Sequence, residues 1–158
     1  MRIGFGYDLH RLEAGRDLIL GGVKIKFNRG LIGHSDADAL CHVITDALFG
    51  ALALGDIGTH FPDTDPAYKD ADSVKLLRTA YDMVQAKGYS VVNIDTTIIA
   101  QKPKMNPYIP EMRKTIAGCL DIDVDQVSVK AKTNEMVGPE GRGEAISTQA
   151  VVLLDKVG

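Results

Sequence analysis

The sequence has few cysteines, no excess of positive charge and no long apolar run, and each shortage excludes a class of protein. Its two cysteines, Cys41 and Cys119, sit among apolar residues at helical spacing. This indicates small core residues in a reducing compartment rather than a disulfide framework. The 18 Lys and Arg against 21 Asp and Glu give a net charge of −3, so no basic field points to nucleic acid.

No apolar run approaches the roughly 20 residues that a membrane-spanning helix needs. The first residues enter a strand pattern at once and do not resemble a signal peptide. The chain has 158 residues, 45% apolar and 25% charged, without repeats, low-complexity tracts or linkers. We therefore expect one soluble domain over residues 1–158, cytoplasmic, with neither a nucleic acid nor a membrane as partner.

The stretch from His34 to Asp46 is typical of the start of a helix with one buried face. Ser35 is a suitable N-cap, and apolar residues then recur at helical spacing. At about 100° per residue, His42 projects about 150° from the centre of the apolar face, with Asp38 and Asp46 one turn away on either side. Such a histidine indicates a metal ligand or catalytic group, and a solvated polar stripe is the alternative.

The N-terminal strand is predicted to be short and broken by Gly4 and Gly6. On an extended backbone, Asp8 and His10 project to the same side. They form half of a metal site, for which His42 is the natural third ligand. Three protein ligands around a tetrahedral ion leave one position open, as in catalytic zinc sites. The same residue types also accept manganese or cobalt, so the native metal stays open.

Hydrophobic periodicity and turn residues predict the other elements. They are a hairpin over 18–27 around two glycines, a turn over 28–30, a helix capped by Ser73 and closed by Gly88, a strand over 89–101, a helix over 110–120, a strand over 127–133 and a buried last strand over 145–157.

Two loops carry candidate ligand residues, each with a simpler alternative. The long segment 55–66 is rich in Asp and Pro. It could become ordered around a substrate, or it could be only a solvated connection between two elements. His60 is a possible ligand in this segment. Lys102 and Lys104 follow a strand directly, where they bind an anionic ligand or are simply solvated.

A third loop, over residues 134–144, is glycine-rich and matches neither the dinucleotide-binding nor the Walker pattern. Its three glycines within six residues allow close backbone approach to a ligand, and Arg142 offers a fork for phosphate. Glu135, beside Thr133 and Lys132, suits a phosphate bridged by magnesium.

Seven short motifs follow one another with compatible spacing over nearly the whole chain. They are Gly6–His10, His34–Asp38 with His42, Gly55–Gly58, Phe61–Asp65, Ala100–Met105, Lys132–Glu135 and Gly141–Glu144. Together they resemble the 2-C-methyl-D-erythritol 2,4-cyclodiphosphate synthase family. The chain is therefore identified, by resemblance, as a member of that family.

The resemblance implies a phosphorus–oxygen lyase of the non-mevalonate isoprenoid pathway. Its substrate is 4-diphosphocytidyl-2-C-methyl-D-erythritol 2-phosphate, whose 2-phosphate attacks its own β-phosphorus to give the cyclic diphosphate and CMP. Catalysis then rests on positioning and charge stabilisation. A zinc-dependent nucleotide diphosphate phosphohydrolase is the alternative, with linear products, and a noncatalytic nucleotide- or isoprenoid-binding module is a third hypothesis.

The resemblance also implies roles for individual residues. Asp8, His10 and His42 would hold Zn²⁺, while Glu135 would help to hold Mg²⁺ or Mn²⁺ bridging the diphosphate. His34 and Thr133 would be catalytic. The implied substrate contacts are Asp8, His10, His34, Ser35, Asp56, Ile57, Gly58, Phe61, Pro62, Asp63, Thr64, Asp65, Ala100, Gln101, Lys102, Pro103, Lys104, Met105, Asn106, Ala131, Lys132, Thr133, Asn134, Glu135 and Arg142, with residues 100–106 as the cytosine pocket.

The fold that the resemblance implies is α+β, a mixed β-sheet with helices on one face. It implies a homotrimer in which three sheets pack around an axis and active sites lie between adjacent subunits. One position departs from the family pattern. Pro139, followed by Glu140, replaces the aromatic residue that often lines a cavity on the trimer axis. Binding of an isoprenoid diphosphate in that cavity is therefore not expected from the resemblance, although Arg142 is retained.

Overall fold

A computed structural model describes residues 1–158, in which five strands form a mixed sheet and two short strands form a separate hairpin. The sheet contains β1 (Arg2–Ala14), β4 (Arg29–Leu31), β5 (Tyr89–Ile99), β6 (Val127–Lys132) and β7 (Ala145–Lys156), and the hairpin pairs β2 (Leu18–Leu20) with β3 (Val23–Ile25). The order across the sheet is β4-β1-β7-β5-β6, and only β5 and β6 run parallel.

Helices cover one face of this sheet. They are α1 (Ala39–Ala51), α2 (Ile57–His60), α3 (Ser73–Ala86), α4 (Ile109–Leu120) and α5 (Gly138–Gly141). The α1 helix packs on β1 and β7, and α3 packs on α1. The predicted α+β fold, a mixed sheet with helices, is confirmed. No helix is long and apolar enough to cross a membrane.

The two faces of the sheet differ sharply in exposure. On the helix side, 32 buried residues form one continuous core that includes most of α1. On the other side, alternate residues of β1 stay open: Ile3, Phe5, Tyr7 and Leu9 are between 71% and 41% exposed. An apolar stripe of this kind is uncommon on a free surface.

The prediction that glycines break the first strand is wrong, since β1 runs unbroken for 13 residues. Gly4 and Gly6 instead lie directly beneath α1. A Cβ atom on Gly6 would collide with the carbonyl oxygen of Val43, and one on Gly4 with that of Ala47. The two glycines therefore let the helix backbone lie against the strand.

The start of α1 also differs from the prediction. Asp38, not Ser35, is the N-cap, and its carboxylate accepts hydrogen bonds from the backbone N–H groups of Cys41, Gly21 and Gly22 at 3.0, 2.9 and 2.6 Å. Asp38 is fully buried and does not flank His42 on a polar face. Burial raises the pKa of this carboxyl against the effect of its three N–H donors.

The boundaries of the other predicted elements agree to within a few residues, but the short helices α2 and α5 lie in segments that the sequence predicts as loops. Both hairpin glycines have positive φ angles, 59° at Gly21 and 72° at Gly22, as a two-residue turn requires. The segment over 28–30 is not only a turn, because β4 pairs with the end of β1 there. Asp72 caps α3, which makes Ser73 its first residue rather than its cap.

Candidate active site

Three predicted metal ligands meet where α1 crosses β1. Gly6 lets α1 lie close to β1, because the Val43 backbone packs directly against this glycine. His42 is the residue before Val43 in α1. Asp8 and His10 follow on the same side of β1, because side chains alternate along a strand. Strand and helix thus bring one carboxylate and two imidazoles together from positions 34 residues apart.

The spacing of the three ligand atoms suits one tetrahedral ion. His10 Nε2 lies 2.9 Å from Asp8 Oδ2, and His42 Nδ1 lies 3.3 Å from that oxygen and 3.4 Å from His10 Nε2. Ligand atoms about 2.1 Å from a tetrahedral zinc ion lie about 3.4 Å from each other. The three side chains are 12 to 25% exposed and form the one cluster of this kind in the chain. The donor set therefore fits a divalent metal.

Hydrogen bonds away from the cluster fix which nitrogen each histidine presents. His10 Nδ1 lies 2.6 Å from the Ile32 carbonyl oxygen, which can only accept, so Nδ1 carries the proton and Nε2 is free to ligate. The His42 ring is reversed: Nε2 faces the hydroxyls of Ser73 at 2.8 Å and Ser35 at 3.0 Å. Such support orients metal ligands in known sites.

The surroundings of Asp8 favour the ionised form of its carboxylate. Burial alone would raise the pKa of Asp8, but hydrogen bonds from His10 and His42 outweigh it and hold the pKa well below its usual range. Burial likewise opposes the charged form of His10, yet the Asp8 carboxylate raises the His10 pKa above 6.5. The Asp8 carboxylate thus stabilises positive charge at this point.

A cavity of about 230 Å³ opens above the three ligands. Nine predicted site residues line it, and Asp46, Tyr68 and Leu76 complete its wall: the nine are Asp8, His10, His34, Ser35, His42, Ile57, Gly58, Phe61 and Asp63. The long segment 55–66 therefore reaches the cavity above the metal ligands. Within that segment Asp56, Pro62, Thr64 and Asp65 do not line the cavity itself.

The segment that covers this cavity is tied down at several points. Asp46 Oδ1 accepts a hydrogen bond from the Ile57 backbone N–H at 2.7 Å, which joins α1 to the start of α2. His34 Nε2 lies 3.1 Å from the Asp65 carbonyl oxygen. His60, a possible ligand from the sequence, is directed elsewhere: its Nε2 bonds the Leu54 carbonyl oxygen at 2.8 Å and its ring stacks on Phe49.

A second, smaller cavity of about 130 Å³ lies at the carboxyl ends of the parallel pair β5 and β6. Ligands often bind at such strand ends in mixed sheets. Its lining comes from two predicted segments, as Ala100, Gln101, Pro103, Lys104, Met105, Asn106, Ala131, Lys132 and Thr133. Lys102 is not among the lining residues, whereas Lys104 is.

The loop after β6 is joined to this second cavity. Thr133 Oγ1 lies 3.4 Å from Glu135 Oε1, and the Gln101 side-chain oxygen accepts from the Met136 backbone N–H at 3.3 Å. Glu135 belongs to no cluster of three possible metal ligands. Arg142 lines neither cavity; its guanidinium pairs with Glu144 at 2.8 Å.

The two cavities are far apart within one chain. Leu9, Ser147, Ile99 and Lys132 form one row across β1, β7, β5 and β6. Three steps of about 4.8 Å between neighbouring strands place Lys132 about 14 Å from Leu9, next to the metal ligands. One chain therefore presents two separate cavities.

Three residues near the metal ligands were missed from the sequence as parts of the site. The sequence explains Ser73 as a helix cap and Asp46 only as a neighbour of His42, and it gives Tyr68 no role. Only Asp46 left a signal, because it is one turn beyond His42 on the same helix. The Ser73 contact depends on how α3 packs on α1, which periodicity does not specify.

Comparison with known proteins places the chain in a family. A family model for the YgbB family matches residues 1–155. The chain belongs to the YgbB family. A member from Neisseria gonorrhoeae, named 2-C-methyl-D-erythritol 2,4-cyclodiphosphate synthase, is 62% identical over 157 residues, with 99% of this chain and 98% of the relative covered. The resemblance found in the sequence motifs is confirmed.

Solved structures of the family have the same fold. A 2C-methyl-D-erythritol-2,4-cyclodiphosphate synthase in a CDP-bound form aligns with a TM-score of 0.90 and 38% identity, covering 98% of this chain and 100% of its own. The bifunctional IspDF of Campylobacter jejuni aligns with a TM-score of 0.95 and 42% identity over 99% of this chain. This chain spans only 42% of that longer protein.

Proposed function

We propose that this chain converts 4-diphosphocytidyl-2-C-methyl-D-erythritol 2-phosphate to 2-C-methyl-D-erythritol 2,4-cyclodiphosphate and CMP. The observation that carries the proposal is the Asp8, His10 and His42 triad, at tetrahedral spacing beneath a cavity, in a chain of the YgbB family. The CDP-bound relative supports a cytidine nucleotide as the substrate class.

The reaction needs no covalent intermediate on the protein. An oxygen of the substrate 2-phosphate forms a bond to the β-phosphorus, and the bond from that phosphorus to the bridging oxygen breaks. The electron pair leaves with the phosphate of CMP. Zn²⁺ held by Asp8, His10 and His42 would supply positive charge that stabilises the phosphate oxygens as negative charge shifts. Positioning of the two phosphates supplies the rest.

The protein groups around that reaction fall into two sets. His34 and Ser35 line the metal-side cavity, where they would contact phosphate oxygens, and residues 57–63 would enclose the methylerythritol group and exclude water. Thr133 lies at the second cavity with the residues of 100–106 other than Lys102, and the cytosine and the α-phosphate would bind there. Glu135 would hold Mg²⁺ or Mn²⁺ through its carboxylate, and the ion would supply positive charge to the diphosphate.

A homotrimer would join the two cavities. Within one chain they lie about 14 Å apart, whereas a neighbouring subunit can place its second cavity opposite the metal ligands. The exposed apolar stripe of Ile3, Phe5, Tyr7 and Leu9 supplies a surface on which sheets of different subunits would pack. We therefore propose active sites between adjacent subunits.

Phosphorus NMR of the protein with the diphosphocytidyl substrate tests the function. We expect CMP and a cyclic diphosphate to form together, to stop on chelation and to return when zinc and magnesium are restored. A metal-dependent linear diphosphate or free phosphate would identify a phosphohydrolase instead. A protein that binds metal and nucleotide but forms no product would be a binding module.

A further inference from the structure

The second nitrogen of His42 leads to Ser73 and, behind it, Asp36, two residues that no proposed role includes. His42 presents Nδ1 to Asp8 and His10, so Nε2 points away from the metal ligands. Two hydroxyls meet it, Ser73 Oγ at 2.8 Å and Ser35 Oγ at 3.0 Å. Ser73 is 1% exposed, and it is the first residue of α3.

Ser73 differs from Ser35 in what lies behind it. The Ser73 hydroxyl donates to Asp36 Oδ1, and the Ser73 backbone N–H donates to Asp36 Oδ2 at 3.1 Å. A carboxylate can only accept, so the Ser73 proton points to Asp36 and an oxygen lone pair faces His42 Nε2. Ser35 Oγ accepts from the Ala37 backbone N–H at 3.2 Å and lies 3.4 Å from Ser73 Oγ, but it has no hydrogen bond to a carboxylate.

We propose that Ser73 and Asp36 are positioning residues for the metal, in a hydrogen-bonded relay Asp36–Ser73–His42. The relay holds the proton of His42 on Nε2, which leaves Nδ1 as the ligand atom, and it fixes the ring orientation. The inference rests on the proposed metal site. It adds that this site is completed by α3, a helix that supplies no ligand.

The physical reason is that the carboxylate acts through the hydroxyl. An ionised Asp36 polarises Ser73 and makes its oxygen a stronger acceptor for the N–H of His42, which in turn makes Nδ1 a better donor to a cation. Removing such support typically costs 10- to 100-fold in metal affinity. Ser35, within reach of the same nitrogen but without a carboxylate, contributes less.

Zinc affinity of four variants tests the relay, measured by competition with a chromophoric chelator on the apo protein. Ser73→Ala is expected to weaken Zn²⁺ binding about 10- to 100-fold. Asp36→Asn keeps a neutral acceptor and should weaken it by a smaller factor. Ser35→Ala is the matched control and should change it less than about threefold, while Ser73→Thr should restore most of the affinity because it keeps the hydroxyl.

The visible absorption of bound Co²⁺ separates positioning from a merely structural role. The bands report ligand geometry, so Ser73→Ala should shift them and Ser73→Thr should not. Equal zinc affinity in Ser73→Ala and the native protein would overturn the relay, as would an equal loss in Ser35→Ala. An unchanged cobalt spectrum together with a lower melting temperature of the apo protein would also overturn it.

The same measurements distinguish failure of the relay from failure of the metal site. If the native protein binds zinc no more tightly than Asp8→Ala, the metal site is wrong and the relay is wrong with it. Tight binding in the native protein that is lost in Asp8→Ala, but kept in Ser73→Ala and Asp36→Asn, would keep the site and remove only the relay. If Ser73→Ala does not fold, Asp36→Asn decides: weaker zinc binding than in the native protein and Ser73→Thr supports the relay, and equal affinity in all three removes it.

Discussion

The metal-side cavity and the cavity at the strand ends are built from different parts of the chain. On the metal side, the groups that matter are side-chain atoms of Asp8, His10 and His42, fixed by a strand, a helix and the hydrogen bonds behind them. At the ends of β5 and β6, several lining residues are Ala, Pro or Met, whose polar groups are those of the main chain.

This difference predicts unequal sensitivity to substitution. A half-buried ligand cannot be replaced without losing a bond that only its side chain makes. If the strand-end cavity is the proposed cytosine pocket, main-chain groups would make most of its contacts, and these would remain when an exposed side chain such as Lys104 is shortened. The metal side should therefore respond to single changes by orders of magnitude, and the strand-end cavity by small factors.

The largest effect is expected for His42→Ala. Removing one of three ligands should lower turnover by more than about 1,000-fold, because the charge that the metal brings to the phosphates is lost. CMP release gives the turnover, and calorimetric titration with CMP should show nearly unchanged affinity. His60→Ala is the matched histidine control and should keep its zinc. Loss of folding in His42→Ala would instead indicate a structural metal.

Gly6→Ala should disturb the metal site without touching a ligand. The added methyl group meets the Val43 carbonyl oxygen and pushes α1 away from β1. We expect the free energy of unfolding, measured with denaturant, to fall by about 1–3 kcal/mol, together with weaker zinc binding.

Gly118→Ala is the control for Gly6→Ala, because it should raise the stability of the protein instead of lowering it. Gly118 is exposed in α4 with nothing within 4 Å of an added Cβ, so alanine should stabilise the protein by about 0.5–1 kcal/mol. If both variants gain stability, the close contact between α1 and β1 is not what sets the position of His42.

Zinc affinity should fall as the pH is lowered, because a proton then competes with the metal at His10. The Asp8 carboxylate raises the His10 pKa above 6.5, and a proton on Nε2 competes with the metal for the same atom. Affinity is therefore full above the raised pKa and should fall about tenfold per pH unit below it. Chelator competition between about pH 8 and 5 measures this. A midpoint below 6.5 would contradict the role given to Asp8.

The metal triad could be predicted from the sequence because each ligand leaves a local signal. Asp8 and His10 share a strand parity, and His42 lies off the apolar face of a helix. The hairpin, the helix over 110–120 and the order of the long strands and helices could be predicted for similar local reasons, whereas β4, α2 and α5 were not predicted. The loops became interpretable only through the resemblance to a family.

Other features could not be predicted because they depend on contacts between distant segments. Gly4 and Gly6 looked like strand breakers, but their role is visible only when α1 lies on β1. Asp38 looked like a neighbour of His42, yet its carboxylate binds the hairpin turn at Gly21. Ser73 looked like a helix cap. Its contact with His42 could not be predicted, because it depends on how α3 packs on α1.

The smallest effect is expected for Lys104→Ala at the strand-end cavity. Lys104 is exposed, so its interaction with a phosphate is screened by water and should contribute about 1 kcal/mol, or a factor of about five in affinity for CMP. Calorimetry with CMP measures this, and zinc affinity should not change. Lys102→Ala is the matched control, because Lys102 does not line the cavity and should have no effect. A loss of more than about 100-fold in Lys104→Ala would mean that this cavity, like the metal side, depends on one side chain.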